Sequence, residues 1–140
     1  MRIRKIGERY LIRLEPEEEV LTTLRTWAQN EDVGFAALWA IGAMRRAVVG
    51  HFNVSARTYH QIPVEEQVEV LSLMGNVARS TDGSPIVHVH VVLSRPDGTT
   101  IGGHLLEGVV APMLEVVAMV FPETLFRRPD PTTGLTVWDL

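Results

Sequence analysis

The chain has 140 residues, 46% of them hydrophobic and 21% charged, enough apolar material to bury a core without a covalent or metallic staple. It contains no cysteine, which excludes a disulfide framework, a thiolate metal site and a cysteine nucleophile, and fits a reducing, cytoplasmic setting. The 13 Lys and Arg stand against 17 Asp and Glu, a net charge of −4 whose field opposes a nucleic-acid duplex.

The opening MRIRKIGERY is charged and has no apolar h-region of a signal peptide. Arg9 to Leu14 alternates, with Tyr10, Ile12 and Leu14 on one face, and predicts a strand. Pro16, with Glu17, Glu18 and Glu19 behind it, suits the first turn of a helix, whose positive dipole end favours acids. Val20, Leu21, Leu24 and Trp27 then recur at helical spacing, and Asn30 marks the end. Phe35 to Ile41 is apolar on both faces, as in a buried strand, and Ala47 to Val49 follows as a second. Val68 to Met74 alternates, placing Val68, Val70, Ser72 and Met74 opposite Glu69, Leu71 and Leu73. Ile86 to Leu93 is the strongest strand by β-branching. Asp97-Gly98 marks a turn, so the segment holding Gly102-Gly103 should return as a hairpin. Met113 to Phe121 reads as a strand, with a helix (Leu114, Val117, Ala118, Phe121) as the competing pattern. The apolar run from Val109 to Phe121 is broken by Pro112 and Glu115 and is too short and polar to span a membrane. Leu135 to Trp138 closes the chain as a short strand. No linker, repeat or low-complexity tract divides residues 1–140, which predicts a single α+β or mixed α/β domain dominated by one sheet.

The chemistry concentrates in three histidines. His88 and His90 are two apart on a strand, so their side chains share one face about 6–7 Å apart, with Val87, Val89 and Val91 on the other. The Asp97-Gly98 hairpin would bring His104 beside them, and Gly102-Gly103 removes side-chain bulk there. Three neutral imidazoles with an open fourth position form the ligand set of catalytic zinc sites, although nickel, copper, cobalt or iron also take nitrogen ligands. Histidines so spaced also occur solvent-facing or hydrogen-bonded without metal. His51 and His60 lack such partners and read as surface histidines.

Glu69 to Val77 (EVLSLMGNV), Ile86 to Val91 (IVHVHV), Gly102-Gly103-His104-Leu105 and Glu115-Val116-Val117, in that order, resemble the PPC domain shared by plants and prokaryotes. Gly42-Ala43, Arg128, Asp130 and Gly134-Leu135 fit the same pattern, so the likeness spans nearly the whole chain. It resembles the stand-alone prokaryotic type, whose members are often labelled DNA-binding proteins with a PD1-like motif. The resemblance implies an antiparallel-rich sheet flanked by one helix and assembled as a homotrimer. It also implies that the HxH and GGH histidines face a shared pocket that holds metal in some prokaryotic relatives. The Arg-Gly-Arg-Pro AT-hook of plant members does not occur in these residues.

Glu69 and Glu115 are second-tier candidates, as pocket carboxylates beside a ligating histidine together with Gly102 and Gly103. Their plainer reading is as solvent-facing acids on an exposed sheet face. Arg127-Arg128 could clamp an anion, but pairing with Asp130 or a neighbouring subunit's acid is the simpler expectation. Arg45-Arg46 makes a weak phosphate patch, and Trp138 reads as packing or a subunit contact. No nucleophile–base pair or cofactor fingerprint is visible, so no reaction is read. Three functions remain open: a trimer binding a divalent metal and a small ligand, a DNA-associated regulatory module, and a trimeric interaction scaffold.

Overall fold

In the computed structural model, which describes residues 1–140, Arg2–Ile6 (β1) and Arg9–Leu14 (β2) pair as an antiparallel hairpin. The alternation of β2 sends Tyr10, Ile12 and Leu14 into the core. β1 is exposed along its length, so it carries no burial alternation for a sequence reading to detect.

The helix Val20–Asn30 (α1) begins later than Pro16 suggests. Glu17 adopts φ 69°, and its backbone N–H donates to the Val110 carbonyl at 3.0 Å, so Pro16–Glu18 is tied to a strand instead of coiling. The cap is Glu19, whose carboxylate accepts from the Leu21 and Thr22 N–H groups at 3.1 and 2.7 Å. The buried stripe Val20, Leu21, Leu24, Trp27 and Ala28 follows the helical spacing. Trp27 is fully buried and meets the Tyr10 ring edge-on at 5.3 Å.

The two strand candidates after the helix are one strand, Phe35–Asn53 (β3), which passes through a bulge at Gly42. Gly42 sits at φ 148°, with no room for a Cβ against the Met113 carbonyl. Thr58–Val64 (β4) pairs with its far half. In Val68–Arg79 (β5) a register shift between Val70 and Ser72 reverses the expected facing: Leu73 is fully buried and Met74 is 55% exposed. Pro85–Ser94 (β6) alternates as its sequence predicts, burying Val89, Val91 and Leu93. Met113 to Phe121 is the second half of one long strand, Thr100–Phe121 (β7), so the helical pattern is not realised. Arg127–Pro129 (β8) and Thr136–Trp138 (β9) form a separate small hairpin.

All strand pairings are antiparallel, in the order β1-β2-β7-β6-β5-β3-β4 with an added β7–β3 pairing. The added pairing closes a ring. Residues 100–104 of β7 pair with β6, the rest of β7 pairs with β3, and β5 joins β3 to β6. The mostly antiparallel sheet and single helix match the architecture the PPC resemblance implies. One cluster of 28 buried residues joins the inward faces of β2, β3, β5, β6 and β7 to α1.

Candidate metal centre

β6 alternates in burial from Val89 onward, so burying Val89 and Val91 turns His88 and His90 to the opposite face. The turn after β6 is built as the sequence predicts. Gly98 adopts φ 83°, the Asp97 carboxylate accepts from the Thr99 N–H at 2.9 Å, and His104 returns directly opposite His90. The three ring centroids lie 5.0–5.4 Å apart, and one nitrogen from each ring falls within 4.8 Å of the others, so the group could hold a metal ion. Zinc with nitrogen ligands at about 2.0–2.1 Å in tetrahedral geometry would hold them roughly 3.4 Å apart. The nitrogens therefore need to draw together by at most about 1.4 Å to meet that spacing.

One atom of the donor set is itself orphaned, which fits an additional group. The Nδ1 of His104 is buried and has no hydrogen-bond partner. No carboxylate stands between the imidazoles, so the nitrogens would be the whole protein ligand set.

Glycine makes the crossing of β7 between β3 and β6 feasible. A Cβ on Gly103 would lie 2.7 Å from the Gly50 carbonyl oxygen. Gly102 and Gly103 thus let the backbones approach beside His104. Gly103 lines the cavity, whereas Gly102 packs toward Val91.

The cavity, about 1010 Å³, opens over the three rings between β3–β4 and the β8–β9 hairpin. Tyr59 packs on His104 with ring centroids 5.0 Å apart, and burial pushes its hydroxyl pKa up. Arg127 is buried at 6% exposure. Its Nη1 donates to the Thr136 carbonyl at 2.8 Å, and its Nη2 donates to Asn76 Oδ1 and His88 Nδ1, each at 3.0 Å. Trp138 lies against the guanidinium at 5.8 Å. Burial, then the charge of Arg127, then the two neighbouring rings depress the His88 pKa to about 4. Burial, with His90 and Arg127 behind it, lowers that of His104. His88 and His104 are therefore neutral at pH 7, as metal ligation requires.

Arg127 also sets a constraint. A guanidinium only donates, so His88 Nδ1 accepts and the ring proton sits on Nε2. A metal taken through Nε2 needs that proton moved, and one taken through Nδ1 needs Nη2 to keep Asn76 alone. Arg127 and a metal therefore compete for His88.

Not every sequence candidate reaches this place. Glu69 is exposed opposite Ser94 and Ala43, and Glu115 is exposed opposite Arg13 and Ile41; neither lines the cavity. Glu69 is seven residues along β5 from Asn76, roughly 23 Å of strand. The expected pairing of Arg127 with Asp130 does not form, because Asp130 accepts from the Thr132 and Thr133 backbone in its own turn. Arg128 pairs with Asp139, Arg45 with Glu17 and Arg46 with Glu107. His51 and His60 face each other across β3–β4 and are exposed, as expected, though His51 reaches the cavity rim. Tyr59, Asn76, Arg127 and Trp138 come from four separate strands, and no local spacing announces their meeting.

The same architecture recurs in solved structures. A metal-containing protein from Archaeoglobus fulgidus is 32% identical, with TM-score 0.87 over 96% of this chain and 94% of that one. A plant- and prokaryote-conserved (PPC) protein from Pyrococcus horikoshii is 34% identical, with TM-score 0.88 over 97% and 94%. A protein of Bacteroides thetaiotaomicron, provisionally named DNA-binding, is 25% identical, with TM-score 0.94 over 99% and 96%. Among curated proteins, the bifunctional protein GlmU of a Synechococcus strain is 32% identical over 129 residues, 89% of this chain. The chain spans only about a fifth (19%) of the length of that relative. The family model of the Plants and Prokaryotes Conserved (PCC) domain matches residues 1–122, and the chain belongs to that family.

Proposed function

We propose that this chain binds one divalent metal ion through His88, His90 and His104 and offers the open coordination position to a small molecule. The observation that carries the reading is the convergence of three imidazole nitrogens within 4.8 Å of one another at the mouth of a cavity. Zinc is the first choice for an all-nitrogen set, and the name of the Archaeoglobus relative, a metal-containing protein, supports a metal. When bound, such an ion polarises a ligand oxygen or activates water. The chain's own residues orient the rings and wall the cavity. The reading assigns binding and no reaction.

The working unit in this reading is a homotrimer of single domains, residues 1–140, in the cytoplasm. Support comes from the outer sheet face. Leu11, Val117, Trp39 and Met74 are cross-strand neighbours on β2, β7, β3 and β5, each 39–55% exposed, and the row runs on to His90. A contiguous apolar stripe of this kind marks an interaction surface. No helix is long and apolar enough to cross a membrane.

The test is elemental analysis of untagged protein beside His88→Ala and His104→Ala. About one metal per chain in the parent and less than a tenth of that in the variants is expected; equal, near-zero metal in all three ends the reading. Light scattering at micromolar concentration should give three times the chain mass, and a monomer counts against the trimer.

The name of the Bacteroides relative favours a second reading, a DNA-associated regulatory protein. Against it, Arg13, Arg45, Arg46, Arg95 and Arg128 are already paired with acids. Binding through phosphates would weaken steeply with salt, and no gel shift of random duplex at low salt removes it.

A further inference from the structure

Arg127 is a buried cation without a counter-ion. It forms no ion pair, its acceptors are a carbonyl, an amide oxygen and a neutral imidazole, and its Nε is buried with no partner at all. Burying a charge costs several kcal/mol unless an opposite charge or metal compensates it. The compensation is missing from the cavity too. Among the residues lining it, Arg127 is the only Lys, Arg, Asp or Glu, so its side-chain charge is +1 within a chain of net charge −4. The remaining wall is largely apolar and aromatic, with Phe52, Tyr59, Leu135, Val137 and Trp138.

We propose that the cavity takes a small molecule bearing an oxyanion, a carboxylate or a phosphate group, on an apolar or aromatic body, with Arg127 supplying the counter-charge beside the three imidazoles. A cationic pocket with no acidic side chain in it selects anions over neutral isosteres. The aromatic walls receive the body, as ligand cavities commonly do. Arg suits this role because its guanidinium holds its charge when buried, and Nη1 keeps one N–H beyond its bond to the Thr136 carbonyl. The hairpin β8–β9 brings the guanidinium in from outside the main sheet to within 3.0 Å of His88, so a bound oxyanion would lie beside the imidazoles and the body of the ligand against the aromatic walls. The ligand class deepens the metal-site reading and rests on it for the second half of the site, whereas the anion preference rests on Arg127 alone.

The test is isothermal titration of the full chain, as purified and after zinc loading, with benzoate, phenyl phosphate and neutral benzamide. At least one of the two anions should bind tenfold or more tightly than benzamide, and which one does separates a carboxylate ligand from a phosphate one. Arg127→Gln should abolish that preference, and Arg127→Lys should keep part of it. Elemental analysis of the same samples separates the two ideas: Arg127→Gln keeps its metal, while His104→Ala loses it. Should Arg127→Gln fail to fold, the comparison of benzoate and phenyl phosphate with benzamide on the parent chain stands alone. Benzamide binding as tightly as both anions, no binding of any of the three, or a full anion preference surviving in folded Arg127→Gln, each overturns the proposal.

Discussion

Arg79 and Arg127 are buried to the same 6% exposure, yet their surroundings differ in kind. Arg79, at the end of β5, donates to the carbonyls of Val33, Gly83 and Ala28, to the Gln29 amide and to the Asp32 carboxylate, at 2.9–3.4 Å. Its charge is matched by an acid, and it fastens the C-terminal end of α1 to the sheet where the helix dipole favours a cation. Arg127 finds three neutral acceptors and leaves a nitrogen idle. The first is a cross-link whose donors are consumed by the fold. The second is an unsatisfied charge at the wall of a cavity. Equal burial therefore says little about role; the identity of the acceptors does.

The sharpest way to break this contrast is to remove the cross-link. Arg79→Met strands several buried carbonyls and should cost about 3–4 kcal/mol of unfolding free energy. Urea unfolding of metal-free protein measures it, and a loss under 1 kcal/mol would mean the Arg79 network is not the clamp described. The folded fraction should retain its metal, because none of the Arg79 partners lines the histidine cavity.

A smaller effect is expected where the strands cross. Gly103→Ala places a Cβ 2.7 Å from the Gly50 carbonyl oxygen, too close for an ordinary contact, so the backbones of β3 and β7 must move apart. Overpacking of this type costs about 2 kcal/mol, and it displaces the next residue, His104. The same variant should therefore lose both stability and metal, unlike Arg79→Met. Elemental analysis of the folded fraction decides between a glycine that serves only the fold and one that also sets the site.

How much of this was legible in the sequence follows from the range of the interactions. β6 and its two histidines were readable because alternation is local, and the third histidine was readable because Asp97-Gly98 forces a tight return. The PPC resemblance supplied the sheet-and-helix architecture. Simple alternation puts Leu73 with Glu69 and Met74 with Val70, the reverse of the structure, since a single bulge inverts every residue beyond it and no residue type announces one. The late start of α1 was hidden because Pro16-Glu17 suits a first helical turn, while its backbone instead bonds to β7, about ninety residues away in sequence. Glu69 and Glu115 have the right chemistry for a site but lie on stretches of strand remote from it. Arg127 was weighed against Asp130, its near neighbour in sequence, whereas its partners come from β5, β6 and β9.

Acid should distinguish the two regions more gently. His88 and His104 have pKa values held below the 6.5 of a free ring, that of His88 at about 4. Above pH 6.5 the rings are neutral folded or unfolded, and their contribution to stability is complete. Between 6.5 and 4 the unfolded chain takes up protons that the folded chain refuses, so stability falls with pH. Both rings are half-buried, and after allowance for solvent screening the loss is on the order of 1 kcal/mol. Urea midpoints of metal-free protein at pH 7 and pH 4.5, compared with the same pair for His88→Gln/His104→Gln, isolate it. A variant as acid-sensitive as the parent removes the histidines from the account.

The smallest effect separates the two arginines most cleanly. Arg127→Met deletes a buried guanidinium, as Arg79→Met does, but removes an uncompensated charge along with its three hydrogen bonds. Apolar replacement of a buried charge is often neutral or stabilising. Its acceptors are also less committed, since the Thr136 carbonyl and the Asn76 amide stand at the edge of an open cavity where water can reach them. The expected change in unfolding free energy is therefore within about 0.5 kcal/mol of the parent at pH 7. Because the charge of Arg127 is the second cause of the His88 depression, after burial, the variant should also lose less stability between pH 6.5 and 4. A cost as large as that of Arg79→Met would place Arg127 among the structural cross-links, and the cavity would then have no free charge to offer a ligand.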